Sequence, residues 1–124
     1  REAFAHSRLI VCTYPQTTFS EAMHSGIPAI MLYSENLWHL DNYFAKLLSE
    51  LKNNRVVFSD PEVAARHVNE IWQDPDGWWA QPDIVRVREM FFDMCGRVRP
   101  DWLSEWVQFL QNELPTNNDF GSKA

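Results

Sequence analysis

The stretch Arg8-Leu9-Ile10-Val11-Cys12-Thr13-Tyr14-Pro15-Gln16-Thr17-Thr18-Phe19-Ser20-Glu21-Ala22-Met23-His24-Ser25-Gly26-Ile27-Pro28-Ala29-Ile30-Met31-Leu32-Tyr33 reads as strand, loop, short helix and strand. Arg8 to Cys12 is a short apolar run with β-branched residues, the pattern of a buried parallel strand. Pro15 stops strand and helix alike in the loop that follows. Thr18 stands where a helix N-cap belongs, and Glu21, three residues on, completes a capping-box pattern. Gly26 suits the position just past a helix end, and Pro28 follows it. Ala29 to Tyr33 is the second buried run. The three pieces form a βαβ unit, whose crossover is predicted to be right-handed.

Working outward, Ser34 to His39 is polar and reads as a loop. Leu40, Tyr43, Phe44, Leu47, Leu48 and Leu51 recur with helical period. Arg55-Val56-Val57-Phe58 predicts a third strand. The expected fold class is therefore α/β. A three-stranded parallel sheet has strands near 8–12, 29–33 and 55–58 in sequential order, with 29–33 in the middle. Asp60-Pro61 is a helix start, cap then proline. Ala64, Val68, Ile71 and Trp72 are the expected apolar stripe of that helix. Asp74-Pro75-Asp76-Gly77 reads as a turn.

A helix is predicted over 82–95, with Val85, Arg88, Phe91, Phe92 and Cys95 at helical spacing and Gly96 at its end. A last helix is predicted after Pro100, capped by Asp101, with Trp102, Trp106, Phe109 and Leu110 on one side. Six tryptophans stand in the chain, and packing between helices is their expected role. Trp72, Trp102 and Trp106 in particular are expected to be buried.

The 124 residues suffice for one domain. Lysine plus arginine number 11 and aspartate plus glutamate 17, a formal net charge of −6. That balance lacks the broad basic footprint of a nucleic-acid binder or of a protein held on an anionic membrane. No run approaches the ~20 apolar residues of a membrane helix. The first residues carry no signal-peptide pattern, open on Arg1 rather than Met, and read as the end of a helix. A fragment or processed product is expected. Cys12 and Cys95 form no disulfide framework and are expected to be buried free thiols in a reducing cytoplasm. The His, Cys, Asp and Glu spacings match no metal site, and none is expected.

Open α/β sheets bind ligands at the carboxyl ends of their strands. Two loops qualify, Thr13 to Thr18 after the first strand and Ser34 to Asp41 after the second. The first runs into a helix N-terminus, where free N–H groups and the positive dipole end favour an anion. Thr17 and Thr18 stand at that end, either as caps alone or as phosphate contacts. Glu21 fits two roles as well: a capping-box residue, or a hydrogen-bond acceptor for a ribose one turn from a bound phosphate. His24 sits in the last turn, where a cation is favoured. No glycine-rich phosphate loop is present.

The stretch Thr17 to Ile30 resembles the donor-binding signature of GT-B glycosyltransferases: a Glu-Ala pair, then Gly-x-Pro before an apolar strand. Glu21-Ala22, Gly26 and Pro28 match it in place. The longer string is similar to a family of bacterial transferases from surface-polysaccharide and O-antigen gene clusters. That likeness rests on Tyr14-Pro15-Gln16-Thr17-Thr18-Phe19-Ser20-Glu21-Ala22, Asp60-Pro61, Ile71-Trp72 and Trp78-Trp79, and spans roughly residues 7–110. Thr13 stands where many retaining GT-B members carry a second glutamate.

The resemblance implies a C-terminal, donor-binding piece of a glycosyltransferase. Residues 1–112 would be a partial Rossmann-like domain, half of a GT-B C-terminal domain, and 113–124 a tail. Tyr14, Gln16, Thr17, Thr18 and Glu21 would bind a nucleotide-sugar, the helix start holding its diphosphate and Glu21 its ribose. The implied enzyme is cytoplasmic, needs no metal or cofactor, and builds surface polysaccharide. The remainder of the transferase, an N-terminal domain and the first half of the donor domain, would be its partner. The catalytic residues, the general base among them, are not implied, and this piece alone is expected to be inactive. A different class also fits the composition, a non-catalytic α/β interaction module whose exposed tryptophans contact protein or glycan.

Overall fold

The computed structural model describes residues 2–113. A short helix α1 (Glu2–Ala5) precedes strand β1 (Ile10–Cys12). Helix α2 (Thr17–His24) leads to β2 (Ala29–Leu32). A 3-10 turn over Asn42–Phe44 opens helix α3 (Ala45–Asn53), and β3 (Val57–Phe58) follows. Four helices complete the described chain: α4 (Pro61–Ile71), α5 (Pro75–Trp79), α6 (Pro82–Cys95) and α7 (Trp102–Glu113). Apart from Glu113, the tail expected from residue 113 lies outside the described residues.

The sheet is parallel and three-stranded in the order β1-β2-β3, as the apolar runs predict. Val11 pairs with Ile30, and Leu32 with Phe58. The ladders extend past the strands, with Ile10 N–H donating to Pro28 O at 2.8 Å and Tyr33 N–H to Phe58 O at 3.1 Å. Ala29, Ile30 and Met31 are buried, as a central strand requires. On β1 the pleat separates Ile10 and Cys12, both buried, from Val11, which is half-exposed.

Stops and starts follow local chemistry. Gly26 takes φ +79° just past α2, the left-handed conformation that glycine adopts without strain. Asp60 caps α4, its Oδ1 accepting from Glu62 N–H at 2.8 Å and Val63 N–H at 3.1 Å. The predicted turn at Asp74–Gly77 is instead the start of helix α5. Asp74 caps it by accepting from Gly77 N–H at 2.9 Å. A Cβ at position 77 would collide with that carboxylate, so the glycine serves the cap.

The tryptophans overturn one expectation. Trp72, Trp102 and Trp106 are 46%, 54% and 56% exposed, and α7 buries none of its residues. Its apolar side is real, but no described element covers it; periodicity announces a face and not what meets it. Trp78 and Trp79 are the buried pair, drawn in by α5. Arg88 lies over the Trp79 ring with its guanidinium carbon 4.3 Å from the centroid. The buried positions of α6 are accordingly Ile84, Val87 and Phe91, while Val85 and Cys95 are exposed. Cys12 is buried as expected, and burial pushes its thiol up, away from the reactive thiolate.

These exposures set a direct contrast. Trp79→Ala is expected to cost about 3–5 kcal/mol, and Trp106→Ala no more than about 0.5 kcal/mol, as at an uncovered surface site. Urea unfolding of both variants measures the difference.

Candidate functional site

Helix α2 starts at Thr17, two residues earlier than the capping-box pattern, with Thr18 as N-cap, places it. The N-cap is therefore Gln16, whose side chain makes no cap hydrogen bond. Thr18 falls inside the first turn, and Glu21 lies a further turn along, too far on to reach back to the N-cap N–H. The capping box does not form. The first turn thus presents N–H groups at the carboxyl end of β1 that no side chain caps, with Thr17 and Thr18 exposed beside them. Leaving a helix start uncapped forgoes about 0.5–2 kcal/mol.

Thr17 and Glu21 line one cleft of about 620 Å³ that runs along α2, together with Ser20 and His24. Its far wall is the segment from Cys95 to Val98 and the end of α1. Glu21 is exposed and, among the described residues, makes no hydrogen bond or ion pair. The other candidates are placed differently. Thr18 lies outside this cleft, and Gln16 borders a neighbouring apolar cavity of about 340 Å³ between α2, α3 and α6. Tyr14 stacks on Trp38, which projects from the loop after β2.

His24 does more than complement a helix end. Its Nδ1 lies 2.7 Å from Ser20 O and its Nε2 2.8 Å from Gly96 O. The second contact ties the end of α2 to the end of α6 and fixes the floor of the cleft. The ring also packs on Phe92, centroids 4.8 Å apart. Arg97, at the cleft rim, is held by Asp93 at 2.6 Å and Glu89 at 2.7 Å. The residues that sequence spacing did not single out here are Ser20, Arg97 and Trp38. Ser20 carried a signal of sorts, lying on the same helical face as Thr17 and His24. Arg97 and Trp38 arrive by tertiary contact alone.

A buried histidine lies elsewhere. His67 on α4 is buried against Phe58 and Trp78, with no hydrogen-bond partner for either ring nitrogen and Glu70 Oε2 3.9 Å from Nδ1. Burial holds its pKa below the ordinary 6.5; the Arg55 charge adds to this and Glu70 opposes it. Among the described residues no three His, Cys, Asp or Glu side chains gather as a metal site. No described helix is long and apolar enough to cross a membrane.

The fold is an α/β one, a parallel sheet whose first loop opens on an uncapped helix start beside a mainly apolar cleft. The family is narrower: the model described as LIC12162 family transferase matches residues 1–110, and the chain belongs to that family. No curated protein and no solved structure matches the chain significantly. The family name makes this a transferase chain.

His67 gives a pH dependence with a defined sign. With its folded pKa depressed, the unfolded chain takes up the proton first as pH falls. Its contribution to stability is complete above the unfolded value near 6.5 and is lost as pH drops from there towards the folded pKa. Urea unfolding at about pH 7.5 and pH 5.5 should show a smaller acid loss for His67→Phe than for the parent.

Proposed function

We propose that this chain is the C-terminal donor-binding part of a GT-B-like glycosyltransferase that builds bacterial surface polysaccharide. In this reading residues 1–112 are half of a Rossmann-like donor domain working in the cytoplasm. The substrate is a nucleotide-sugar. The diphosphate sits at the start of α2, in reach of the Thr17 and Thr18 hydroxyls and of first-turn N–H groups. Glu21 accepts hydrogen bonds from the ribose hydroxyls. Tyr14 and Gln16 border the same end of the site.

The observation that carries this reading is the uncapped start of α2 with Glu21 unpaired one turn beyond, in a chain of a transferase family. As the glycosidic bond breaks, negative charge develops on the leaving diphosphate. Fixed N–H donors and the dipole end stabilise that charge more than they stabilise the intact donor, so they lower the barrier as well as bind. No metal is needed for that task. The half-exposed Val11 on β1 agrees with a sheet that continues into another half-domain. Membership of a transferase family does not favour the interaction-module reading, although the exposed Trp72, Trp102 and Trp106 are what that reading expects.

Glu21→Gln in the full-length protein tests the assignment. Losing one charge-assisted bond to ribose costs about 1.5–3 kcal/mol, at least about tenfold in donor affinity. Because Glu21 caps nothing, stability should stay within about 0.5 kcal/mol. Titration calorimetry with nucleoside diphosphates and nucleotide-sugars, alongside urea unfolding, reads both quantities. Full donor affinity in the variant removes the ribose role.

A further inference from the structure

The carboxyl end of the sheet carries an aromatic platform. Tyr14, in the loop after β1, and Trp38, in the loop after β2, stack with ring centroids 6.0 Å apart and planes 18° from parallel. Tyr14 is 40% and Trp38 37% exposed, so the pair keeps ring surface in solvent where packing alone would bury it. Next to Trp38 lies a hollow of about 370 Å³ with polar walls that include Glu35, His39, Asp41 and Lys52. Asp41 uses Oδ1 to accept from Tyr43 N–H at 2.7 Å, and Glu35 pairs with Lys52. A flat apolar surface thus adjoins a set of fixed donors and acceptors.

We propose that the Tyr14–Trp38 platform seats the sugar ring of the donor, the group that is transferred. A hexose presents a patch of C–H bonds on one face and hydroxyls around its rim. The C–H patch suits the electron-rich face of an aromatic ring, and the rim suits the polar walls of the hollow. The assignment rests on the donor reading given above, which sets the order of the ligand along the protein. A nucleotide-sugar runs base, ribose, diphosphate, sugar. With ribose at Glu21 and diphosphate at Thr17 and Thr18, the sugar falls on the N-terminal side of α2, where Tyr14 stands. A nucleobase also stacks on aromatic rings, but that order places it beyond Glu21, at the opposite end.

The test compares two ligands that differ only in the sugar. The full-length protein is titrated calorimetrically with UDP and UDP-glucose, GDP and GDP-mannose, and dTDP and dTDP-rhamnose, and the pair that binds is carried forward. Trp38→Ala is expected to weaken the nucleotide-sugar about fivefold to tenfold, the scale of one aromatic contact, and to leave the matching diphosphate unchanged. Tyr14→Leu, which keeps apolar bulk without the ring, should move in the same direction. Glu21→Gln, by contrast, should weaken both ligands. Equal losses for both ligands in Trp38→Ala would assign the platform to the nucleotide and overturn the proposal. No loss for either would make it bare surface, with donor binding intact. If the parent protein binds none of the three pairs, the donor reading fails first and takes the platform with it.

Discussion

Strand β2 is the constraint on which the molecule turns. It pairs on both edges, and Ala29 to Met31 lie buried among the helices that flank the sheet. A parallel strand so placed has one workable register, because a shift of one residue would exchange its two faces. The register with β1 in turn fixes where the loop from Thr13 to Gln16 ends, and hence where α2 begins. The hydrogen bond from Ile10 N–H to Pro28 O anchors that connection from the other side. The position of Thr17, and the direction in which its helix points, is thus a consequence of core packing some distance away.

The start of that same helix is left without a side-chain cap. Gln16 could have been a serine or aspartate, which would have capped α2. Asp60 and Asp74 do so for α4 and α5. Two helices of the chain are thus closed by carboxylates, whereas α2, α3 and α6 start at residues that give no side-chain cap.

The sheet was legible in the sequence because its signals are local and redundant. Each apolar run is short, and Pro15, Gly26 and Pro28 mark where the chain must change direction. Asp60-Pro61 and Gly96 were equally plain. Misreadings arose where two local rules competed or where only distance decides. Asp74-Pro75-Asp76-Gly77 has turn composition, yet the same Asp-Pro pair opens a helix, and burial of Trp78 and Trp79 settles which rule prevails. The start of α2 lies two residues before the one the capping box implies, which removes that box and leaves Glu21 unpaired. The face of α7 was legible but its exposure was not, since periodicity is silent about neighbours. Within the site, Thr17 and Glu21 share a face and could be paired from spacing. The meeting of Tyr14 with Trp38 joins two loops and leaves no trace in any window of sequence.

The half-exposed Val11 bears on how the chain behaves as a material. On its outer side β1 has no partner strand among the described residues. An open strand edge with an apolar side chain beside it is a template for pairing with any extended segment, including one from another molecule. The overall charge of −6 keeps molecules apart at low salt. Added salt screens that repulsion and leaves the edge unguarded. Colloidal stability of the isolated chain therefore depends on ionic strength, and a strand supplied from elsewhere in a longer protein would remove that dependence.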